Sequence, residues 1–203
     1  METKFEGFGK IPRLSRDCII TEKIDGTNAS VEVLDCQDPV ILERPHVAYS
    51  INGYYIYAGS RTRWITPEAD NYGFARWVWD NAEELTKLGH GKHFGEWWGK
   101  GIQRGYNQIS RRFSLFNTAR WSDPLVRPVC CDVVPVLYEG MFDTGLAEGV
   151  VGTLRNSGSM AAPGYPFPEG IIFHKAGNLM FKKTVEKDDE PKEKSARLGK
   201  TYG

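Results

Sequence analysis

Extended segments outnumber helical ones in this chain, and the two kinds do not alternate. Apolar runs and alternating patterns bounded by turn residues predict strands at 18–24, 29–33, 40–43, 54–58, 112–117, 129–137, 170–174 and 178–184, and a further strand ends within 93–99. Apolar residues at helical spacing predict two helices, one from Asp70 or Asn71 to Leu88 and one over 144–156. Because strands and helices do not alternate, the pattern indicates an α+β fold built on antiparallel sheets.

The composition allows one large domain with a substantial core. Of the 203 residues, 40% are hydrophobic and 12% aromatic. The segment 186–203 is almost entirely polar and cannot form a core, so we expect a folded domain over 1–185 followed by a solvated tail. Residues 1–17 are expected to form a short strand and turns packed on that domain. The 26 basic and 26 acidic side chains balance, so a polyanion would have to be bound by local clusters rather than by net charge.

The cysteines and the apolar runs indicate where such a chain would work. Cys18, Cys36, Cys130 and Cys131 form no Cys-x-x-Cys pair, which is typical of reduced thiols in a reducing cytosol. No apolar run approaches the roughly 18 residues of a membrane-spanning helix, and the N-terminus lacks an apolar signal core. We therefore expect a cytoplasmic protein without a membrane partner.

A lysine stands at the end of the first predicted strand. The segment 21–28 reads Thr-Glu-Lys-Ile-Asp-Gly-Thr-Asn, which predicts a tight turn after Lys23 in which Gly26 can take a positive φ. This turn is expected to make a hairpin-like unit of the two strands around Lys23. An ordinary lysine amine has a pKa of about 10.4, so a nucleophilic lysine needs burial, nearby cations or a bound polyphosphate. Taken alone, the motif also fits a solvated lysine before a turn.

Four further stretches carry charged residues on predicted strands or at their ends. Arg61 follows one strand, and Glu96 lies in a Phe-Gly-Glu sequence. Glu169 directly precedes the apolar strand 170–174, and the last strand carries adjacent lysines. In this order and at these separations, the five motifs resemble the covalent nucleotidyltransferase superfamily of ATP-dependent DNA ligases, RNA ligases and mRNA capping enzymes.

The resemblance covers roughly residues 18–185, and the Thr-Asn ending at 27–28 looks most like the RNA ligase branch, which includes RNA-editing ligases. It implies an ATP-grasp-like nucleotidyltransferase core of antiparallel sheets flanked by helices, with 1–185 as the adenylation domain. Relatives carry an oligonucleotide-binding barrel or a helical domain after the last motif. Here only 186–203 follows, so we expect no appended barrel.

The resemblance also implies a role for each motif residue. Lys23 resembles the lysine that attacks the α-phosphate of ATP, releases pyrophosphate and holds AMP. Glu169 matches the carboxylate that organises Mg²⁺ or Mn²⁺. The expected nucleotide-binding residues are Glu22 beside the adenine edge, Ile24, Asn28 for end joining, Arg61 at the ribose or the 5′-phosphate end, Glu96 at the ribose hydroxyls, and Lys182 and Lys183. A metal held by carboxylates together with lysines suits phosphoryl transfer, because the charge of the transferred group must be neutralised.

Successive side chains of a strand point to opposite faces, and this strand parity decides between neighbouring candidate residues. Phe113 and Phe116 have opposite parity on the strand 112–117, so only one can stack on adenine, and we favour Phe116. Relatives separate the two lysines of the last motif by one residue, whereas Lys182 and Lys183 are adjacent and should point to opposite faces. We favour Lys182 for the α-phosphate, with Lys183 reaching the site from a bulge or facing solvent.

The segment 97–127 could take over part of the role of the missing domain. It is rich in cations and has aromatic residues between them, which is the composition of a groove for single-stranded nucleic acid. A solvated basic loop with core tryptophans explains the same composition. The residues concerned are Lys100, Arg104, Arg111, Arg112, Arg120 and Arg127 together with Trp97, Trp98, Tyr106 and Trp121.

Three functions remain open at this point. The first is an ATP-dependent RNA ligase that acts on nucleic acid with 5′-phosphate and 3′-hydroxyl ends. The second keeps the fold but changes the substrate, as in a DNA nick ligase or a GTP-using capping enzyme. The third is an adenylylated accessory subunit that needs a partner subunit, which would supply the missing domain, to join ends.

Overall fold

The computed structural model describes residues 7–8, 16–38, 49–175 and 179–186. The strands in that part are β1 (Asp17–Lys23), β2 (Thr27–Asp35), β3 (Tyr49–Ile51), β4 (Tyr54–Ser60), β5 (Trp64–Ile65), β6 (Gly91–Gly99), β7 (Arg111–Leu115), β8 (Asp132–Val133), β9 (Val136–Met141), β10 (Gly170–Lys175) and β11 (Leu179–Thr184). The α-helices are α1 (Phe74–Asp80), α2 (Ala82–Leu85), α3 (Thr118–Trp121) and α4 (Leu146–Ser157), with 3₁₀ turns at Pro67–Ala69, Thr86–Leu88 and Gly105–Asn107. None of the described helices has the length and apolar character needed to cross a membrane.

The strands form two sheets. The first has the order β11–β10–β1–β9, and all its neighbouring strands are antiparallel. The second has the order β3–β4–β2–β6–β7–β8, with β5 paired to β4. Within the described residues only its β7–β8 pair is parallel. The predicted α+β class with mainly antiparallel sheets is therefore confirmed.

Each sheet buries one face against helices. Phe74 and Val78 of α1 pack with Val31 of β2 in the core of the second sheet. Val151 and Leu154 of α4 form the core of the first sheet together with strand residues of β1 and β10. A third, smaller cluster contains Ile24, Trp98, Tyr106, Val134 and Ala162.

The chain on either side of Lys23 runs through different sheets. β1 pairs with β9 and β10, whereas β2 pairs with β4 and β6. The predicted hairpin-like unit is therefore wrong, and residues 24–26 connect the two sheets instead. Ile24, which is 4% exposed, turns inward and packs with Trp98 of the second sheet. Because this side chain is buried, the backbone continues into the second sheet and does not reverse direction to pair with β1.

The predicted strand 129–137 is also divided between the sheets. The backbone N–H of Val134 still donates to Leu115 O in the second sheet, at 3.1 Å. One residue later, the carbonyl of Pro135 accepts from the N–H of Glu22 in the first sheet, at 2.9 Å. Because proline has no N–H to continue a ladder, Pro135 marks the point at which the chain changes sheets. Val129 is 87% exposed and lies in neither sheet.

The predicted helix from Asp70 to Leu88 is broken. It begins at Phe74, after Gly73 in the left-handed conformation, while the Asp70 carboxylate accepts from the N–H groups of Ala75 and Arg76. It is interrupted at Asn81, whose side chain donates to Trp77 O at 2.8 Å and so competes with the helical backbone. The predicted strand 40–43, most of 1–17 and nearly all of 186–203 lie outside the described residues.

Candidate active site

A cavity of about 420 Å³ opens where the ends of β1 and β2 approach each other. Its volume lies in the range of small-molecule sites, roughly 300–1,000 Å³. The residues around it are Thr21, Glu22, Lys23, Ile24, Asn28, Arg61, Glu96, Phe116, Val134, Ile172, His174, Met180, Phe181 and Lys182. The two sheets therefore bring together motif residues that are far apart in the sequence.

Lys23 and Glu169 are in direct contact at this cavity. The Lys23 Nζ donates to the Glu169 Oε2, and the two side chains are 22% and 7% exposed. The β1–β10 register explains the contact, because Lys23 is paired with Gly170 and Glu169 directly precedes it. The amine is thus held at a strand end, against a carboxylate that is largely shielded from water.

Gly26 is required here for a different reason from the predicted one. It does not adopt a positive φ. A Cβ at this position would lie 2.5 Å from Trp97 O and 2.8 Å from Trp98 Cβ. The connection between the sheets passes so close to β6 that only glycine fits.

Glu96 and Asn28 face the cavity from adjacent strands of the second sheet. They are paired in the β2–β6 register. Burial, together with the nearby charge of Glu169, raises the pKa of the Glu96 carboxyl to about 7, although Lys23 and Arg61 act in the opposite direction. The neutral form of Glu96 is therefore favoured much more in this cavity than it is in water. Arg61, which directly follows β4, is exposed at the rim of the cavity.

The two phenylalanines of the β7 region have different surroundings. Phe113 is completely buried, and its ring lies 5.0 Å from the ring of Phe74. Phe116 is partly exposed and lines the cavity. Phe113 therefore belongs to the core of the second sheet, and Phe116 is the one of the two with a ring available to a ligand in the cavity.

The adjacent lysines of β11 face in opposite directions, as strand parity predicts. Lys182, which is paired with Ile172 of β10, lines the cavity. Lys183 lies on the other side of the sheet, where its Nζ is 2.9 Å from the Glu148 Oε1 of α4. Lys183 thus contacts a helix and does not face the cavity, and neither a bulge nor full solvent exposure is found there.

The Glu22 carboxylate is buried and is bound by the segment that follows α4. Its Oε1 accepts from the Ser159 hydroxyl at 2.6 Å, and its Oε2 accepts from the N–H groups of Met160 and Ala161, both at 2.8 Å. Burial raises the pKa of the Glu22 carboxyl, while the three donors favour its charged form. Glu22 therefore fixes this segment beside the cavity. No local signal in the sequence indicated this contact.

Replacing Ser159 with alanine should destabilise the domain by about 1–3 kcal/mol, because a buried carboxylate loses a donor. Removing that donor raises the Glu22 pKa further, and the added penalty grows as the pH rises above the ordinary value of 4.5. Urea unfolding should therefore show a larger loss at pH 8 than at pH 4. Ser157→Ala, at an exposed neighbouring position, is the matched control. An equal loss at both pH values would contradict the role of Ser159.

The alternation of side chains along β1 and β10 could have identified further residues that line the cavity. Thr21 has the same parity as Lys23 on β1, and Ile172 and His174 share one face of β10; all three line the cavity. The His174 Nε2 lies 3.5 Å from the Thr21 hydroxyl, and burial lowers the pKa of the imidazole, which forms part of the cavity wall.

The predicted groove over 97–127 lacks its stacking surface. The aromatic residues proposed for it, Trp97, Trp98, Tyr106 and Trp121, are at most 3% exposed and belong to the core. Arginines of the segment bind protein groups: Arg112 pairs with Asp132, and Arg104 pairs with Asp25. The stacking part of the prediction is therefore wrong, because these rings fill the space beneath the sheets.

The two carboxylates at the cavity are suitable metal ligands. Mg²⁺ is usually held by one or two carboxylates together with substrate phosphates. Glu96 and Glu169 interact electrostatically with each other and with Lys23, so they offer such oxygen donors close to the amine. The described residues contain no group of three or more His, Cys, Asp or Glu arranged as a complete metal site, and this donor set fits a metal that shares its ligands with a polyphosphate.

Comparison with known proteins identified both a family and a fold. A family model described as RNA ligase matches residues 16–186. A search of curated proteins gave no significant match. Solved structures of a Naegleria gruberi RNA ligase are 18–19% identical: a mutant with ATP and Mn covers 88% of this chain with a TM-score of 0.56, and an apo mutant covers 83% with a TM-score of 0.55. The same ligase with PPi covers 83%, with a TM-score of 0.51.

At this level of identity the structural likeness shows a shared fold. The three matches cover 52%, 49% and 49% of the ligase chains. The present chain thus spans about half the length of the ligases that it resembles.

Proposed function

This chain belongs to the RNA ligase family, and from that premise we propose that it is an ATP-dependent polynucleotide ligase that works through AMP bound covalently to Lys23. The contact of the Lys23 amine with Glu169, in a cavity that also holds Glu96, Phe116 and Lys182, is the observation that carries the proposal. RNA is the favoured substrate because the Thr27–Asn28 ending is of the RNA ligase type.

Lys23 acts in the first step as the nucleophile. Its Nζ releases a proton toward the Glu169 Oε2 and attacks the α-phosphorus of ATP. An N–P bond forms, the bond from the α-phosphorus to the bridging oxygen of the β-phosphate breaks, and pyrophosphate leaves. Lys182, on the same cavity wall, stabilises the charge that develops on the α-phosphate.

The second and third steps transfer AMP and then displace it. A 5′-phosphate oxygen of the polynucleotide attacks the phosphorus of the Lys23-bound AMP, the N–P bond breaks, and the Lys23 Nζ takes a proton back from the Glu169 carboxyl as it leaves. A 3′-hydroxyl then loses its proton to solvent and attacks the activated 5′-phosphate. A phosphodiester forms, the phosphoanhydride bond to AMP breaks, and AMP leaves. Arg61 and Asn28, at the rim and wall of the cavity, are the residues proposed to hold the polynucleotide end.

The remaining residues hold the nucleoside and the metal. Phe116 stacks on adenine, and Glu96 accepts from the vicinal ribose hydroxyls, for which an acceptor-only carboxylate is suited. Glu169 would hold Mg²⁺ or Mn²⁺ together with the phosphates. When bound, this ion neutralises phosphate charge and orients the leaving group. The Naegleria gruberi ligase solved with ATP and Mn supports this assignment.

The test is incubation of the purified chain with α-labelled ATP and Mg²⁺, followed by separation of labelled protein. We expect covalent label on the protein that unlabelled ATP prevents and unlabelled GTP does not. Nicked duplexes with RNA or DNA on each side of the break then identify the substrate. Effective competition by GTP would instead favour a capping enzyme, and sealing of all-DNA nicks alone would favour a DNA ligase.

A specific observation keeps an accessory subunit as a second candidate. The aromatic residues of the predicted groove over 97–127 are buried in the core, so in this second candidate a partner subunit supplies the surface that holds the polynucleotide. In that case the chain alone would label itself with AMP but seal no nicked duplex. Sealing by the chain alone would exclude this candidate.

Replacing Phe116 with alanine should raise the KM for ATP by about 10- to 100-fold, because stacking on a base contributes about 1–3 kcal/mol. The free energy of unfolding should fall by less than it does on loss of a fully buried ring, since Phe116 is only partly buried where it packs against the third cluster. Phe113→Ala is the matched comparison, and loss of this buried ring should cost about 3–5 kcal/mol of stability. ATP titration of the labelling rate and urea unfolding separate the two. An unchanged KM in Phe116→Ala would exclude the stacking role.

A further inference from the structure

The loop between β6 and β7 has an unusual concentration of left-handed backbone. Gly99, Gly101 and Gly105 have positive φ, and so do neighbouring residues that are not glycine. Among the described residues, five non-glycine residues have positive φ, and three of them, Gln103, Tyr106 and Asn107, lie in the 99–108 loop. Such conformations are unfavourable for residues other than glycine and persist only where the surroundings impose them.

Arg104, in the middle of this loop, binds two chain segments at once. Its Nε lies 3.0 Å from the Asp25 Oδ2, and its Nη1 donates to Phe167 O at 3.1 Å. Asp25 is two residues after Lys23, and Phe167 is two residues before Glu169. One guanidinium therefore joins the segments that carry the nucleophile and its carboxylate partner.

Tyr106 contacts the turn after Lys23 from the side of the core. Its hydroxyl accepts from the backbone N–H of Asp25 at 2.8 Å. The ring is 1% exposed and lies 5.3 Å from the ring of Trp98 and 4.8 Å from that of Tyr165. The hydroxyl therefore has a fixed position, and the left-handed backbone of Tyr106 is imposed by this packing.

These contacts lie just beyond the end of the β1–β10 ladder. The ladder ends at the pair Lys23–Gly170, so its hydrogen bonds do not fix the chain that leaves β1 or the chain that enters β10. A phosphoryl transfer depends on the alignment of the attacking atom, and a displacement of about 1 Å can cost about 100-fold in rate. The Glu169 carbonyl accepts from the Val185 N–H at 2.9 Å, and beyond that bond the alignment of Lys23 with Glu169 depends on contacts outside the β1–β10 ladder.

We propose that the 99–108 loop is a brace for the catalytic pair, with Arg104 as a positioning residue that sets how the Lys23 amine and the Glu169 carboxylate meet during adenylyl transfer. The inference deepens the proposed function and rests on it. The sequence made Arg104 a candidate for nucleic-acid binding. The brace instead gives it a role in the transfer of AMP from ATP to Lys23, a step that involves no nucleic acid. Lysine cannot replace it, because one ammonium does not reproduce the planar fork that donates from Nε and Nη1.

The test compares Arg104→Ala, Arg104→Lys and Arg76→Ala in the ATP-labelling assay. Arg76 is the matched control, since it is an exposed arginine on α1, outside the 99–108 loop, and its guanidinium lies 5.8 Å from the centre of the Trp79 ring. We expect both Arg104 variants to lower the kcat of self-adenylylation by about 10- to 100-fold with the KM for ATP unchanged. Arg76→Ala should label at the wild-type rate. Labelling of both Arg104 variants at the wild-type rate, or a change in KM alone, would overturn the brace.

Hydrogen–deuterium exchange tests the brace without relying on catalysis. Peptides covering 23–26 and 165–169 should exchange faster in Arg104→Ala than in the wild type, and their exchange should be unchanged in Arg76→Ala. Tyr106→Phe should accelerate exchange at the Asp25 amide, which loses its acceptor. If the wild-type chain takes up no AMP, the proposed function falls while these exchange rates still decide on the brace. Unchanged exchange in both segments of Arg104→Ala would refute it.

Discussion

Replacing Lys23 with alanine is expected to abolish covalent labelling by ATP, with a loss on the order of 10³-fold or more. Alanine offers no nucleophile, and no other amine is described in contact with the Glu169 carboxylate. The change should also lower the free energy of unfolding by about 1–3 kcal/mol, because a carboxylate that is 7% exposed loses its charged donor. Labelling with α-labelled ATP and urea unfolding measure the two effects.

Lys23→Arg separates chemistry from stability. Arginine keeps a positive charge opposite Glu169, but its guanidinium stays protonated in proteins and is not a nucleophile. We therefore expect no labelling in this variant, with a stability closer to that of the wild type than in Lys23→Ala. Label that persists in either variant would assign the nucleophile to another residue.

Replacing Glu96 with glutamine is expected to stabilise the unliganded domain at pH 8 while lowering its activity. The pKa of Glu96 is raised from 4.5 to about 7, so its contribution to stability is fully present below pH 4.5 and is lost as the pH rises through 7. A shift of this size corresponds to at most about 3 kcal/mol. Glutamine has no charge to bury, so the stability of the variant should exceed that of the wild type by an amount that grows from pH 5 to pH 8.

The same substitution should lower kcat/KM for adenylylation by about 10- to 100-fold, since a hydrogen bond to a charged group contributes about 1.5–3 kcal/mol. Thermal unfolding at several pH values measures the gain in stability, and ATP titration measures the loss in kcat/KM. Glu139→Gln, at an exposed position on β9, is the control and should change neither quantity. A Glu96→Gln variant that is less stable than the wild type at pH 8 would contradict the assigned environment of Glu96.

The candidate site residues at the ends of strands could be predicted because the sequence patterns that indicate them are local. A lysine at the end of β1, a carboxylate before β10 and the opposite parity of Lys182 and Lys183 all follow from short segments of sequence. Parity also placed Phe113 and Phe116 on different faces, and burial then assigned the first to the core. These features need no knowledge of how distant segments meet.

The connections between the sheets could not be predicted from local patterns. Ile24 looks like the last residue of a strand, yet its burial beside Trp98 directs the chain into the second sheet. Gly26 looks like a turn glycine, yet the close approach of Trp97 O is what excludes a side chain. In both cases tertiary packing determines the conformation, and local propensity is only compatible with it.

Contacts over long sequence separations were missed for the same reason. The Ser159 hydroxyl meets Glu22 across 137 positions, and Arg104 meets Asp25 across 79. A serine after a helix and an arginine in a basic loop each have ordinary local interpretations. Only the folded chain gives them their partners.

The central claim is that the amine of Lys23 carries AMP. Incubation of the wild-type chain with ATP and Mg²⁺, followed by proteolysis under conditions that preserve the N–P bond and by mass spectrometry, tests it most directly. We predict a single adduct with the mass of AMP, located on Lys23 and absent from Lys182 and Lys183. An adduct on any other residue, or none under conditions in which the chain is folded and binds ATP, would contradict the claim.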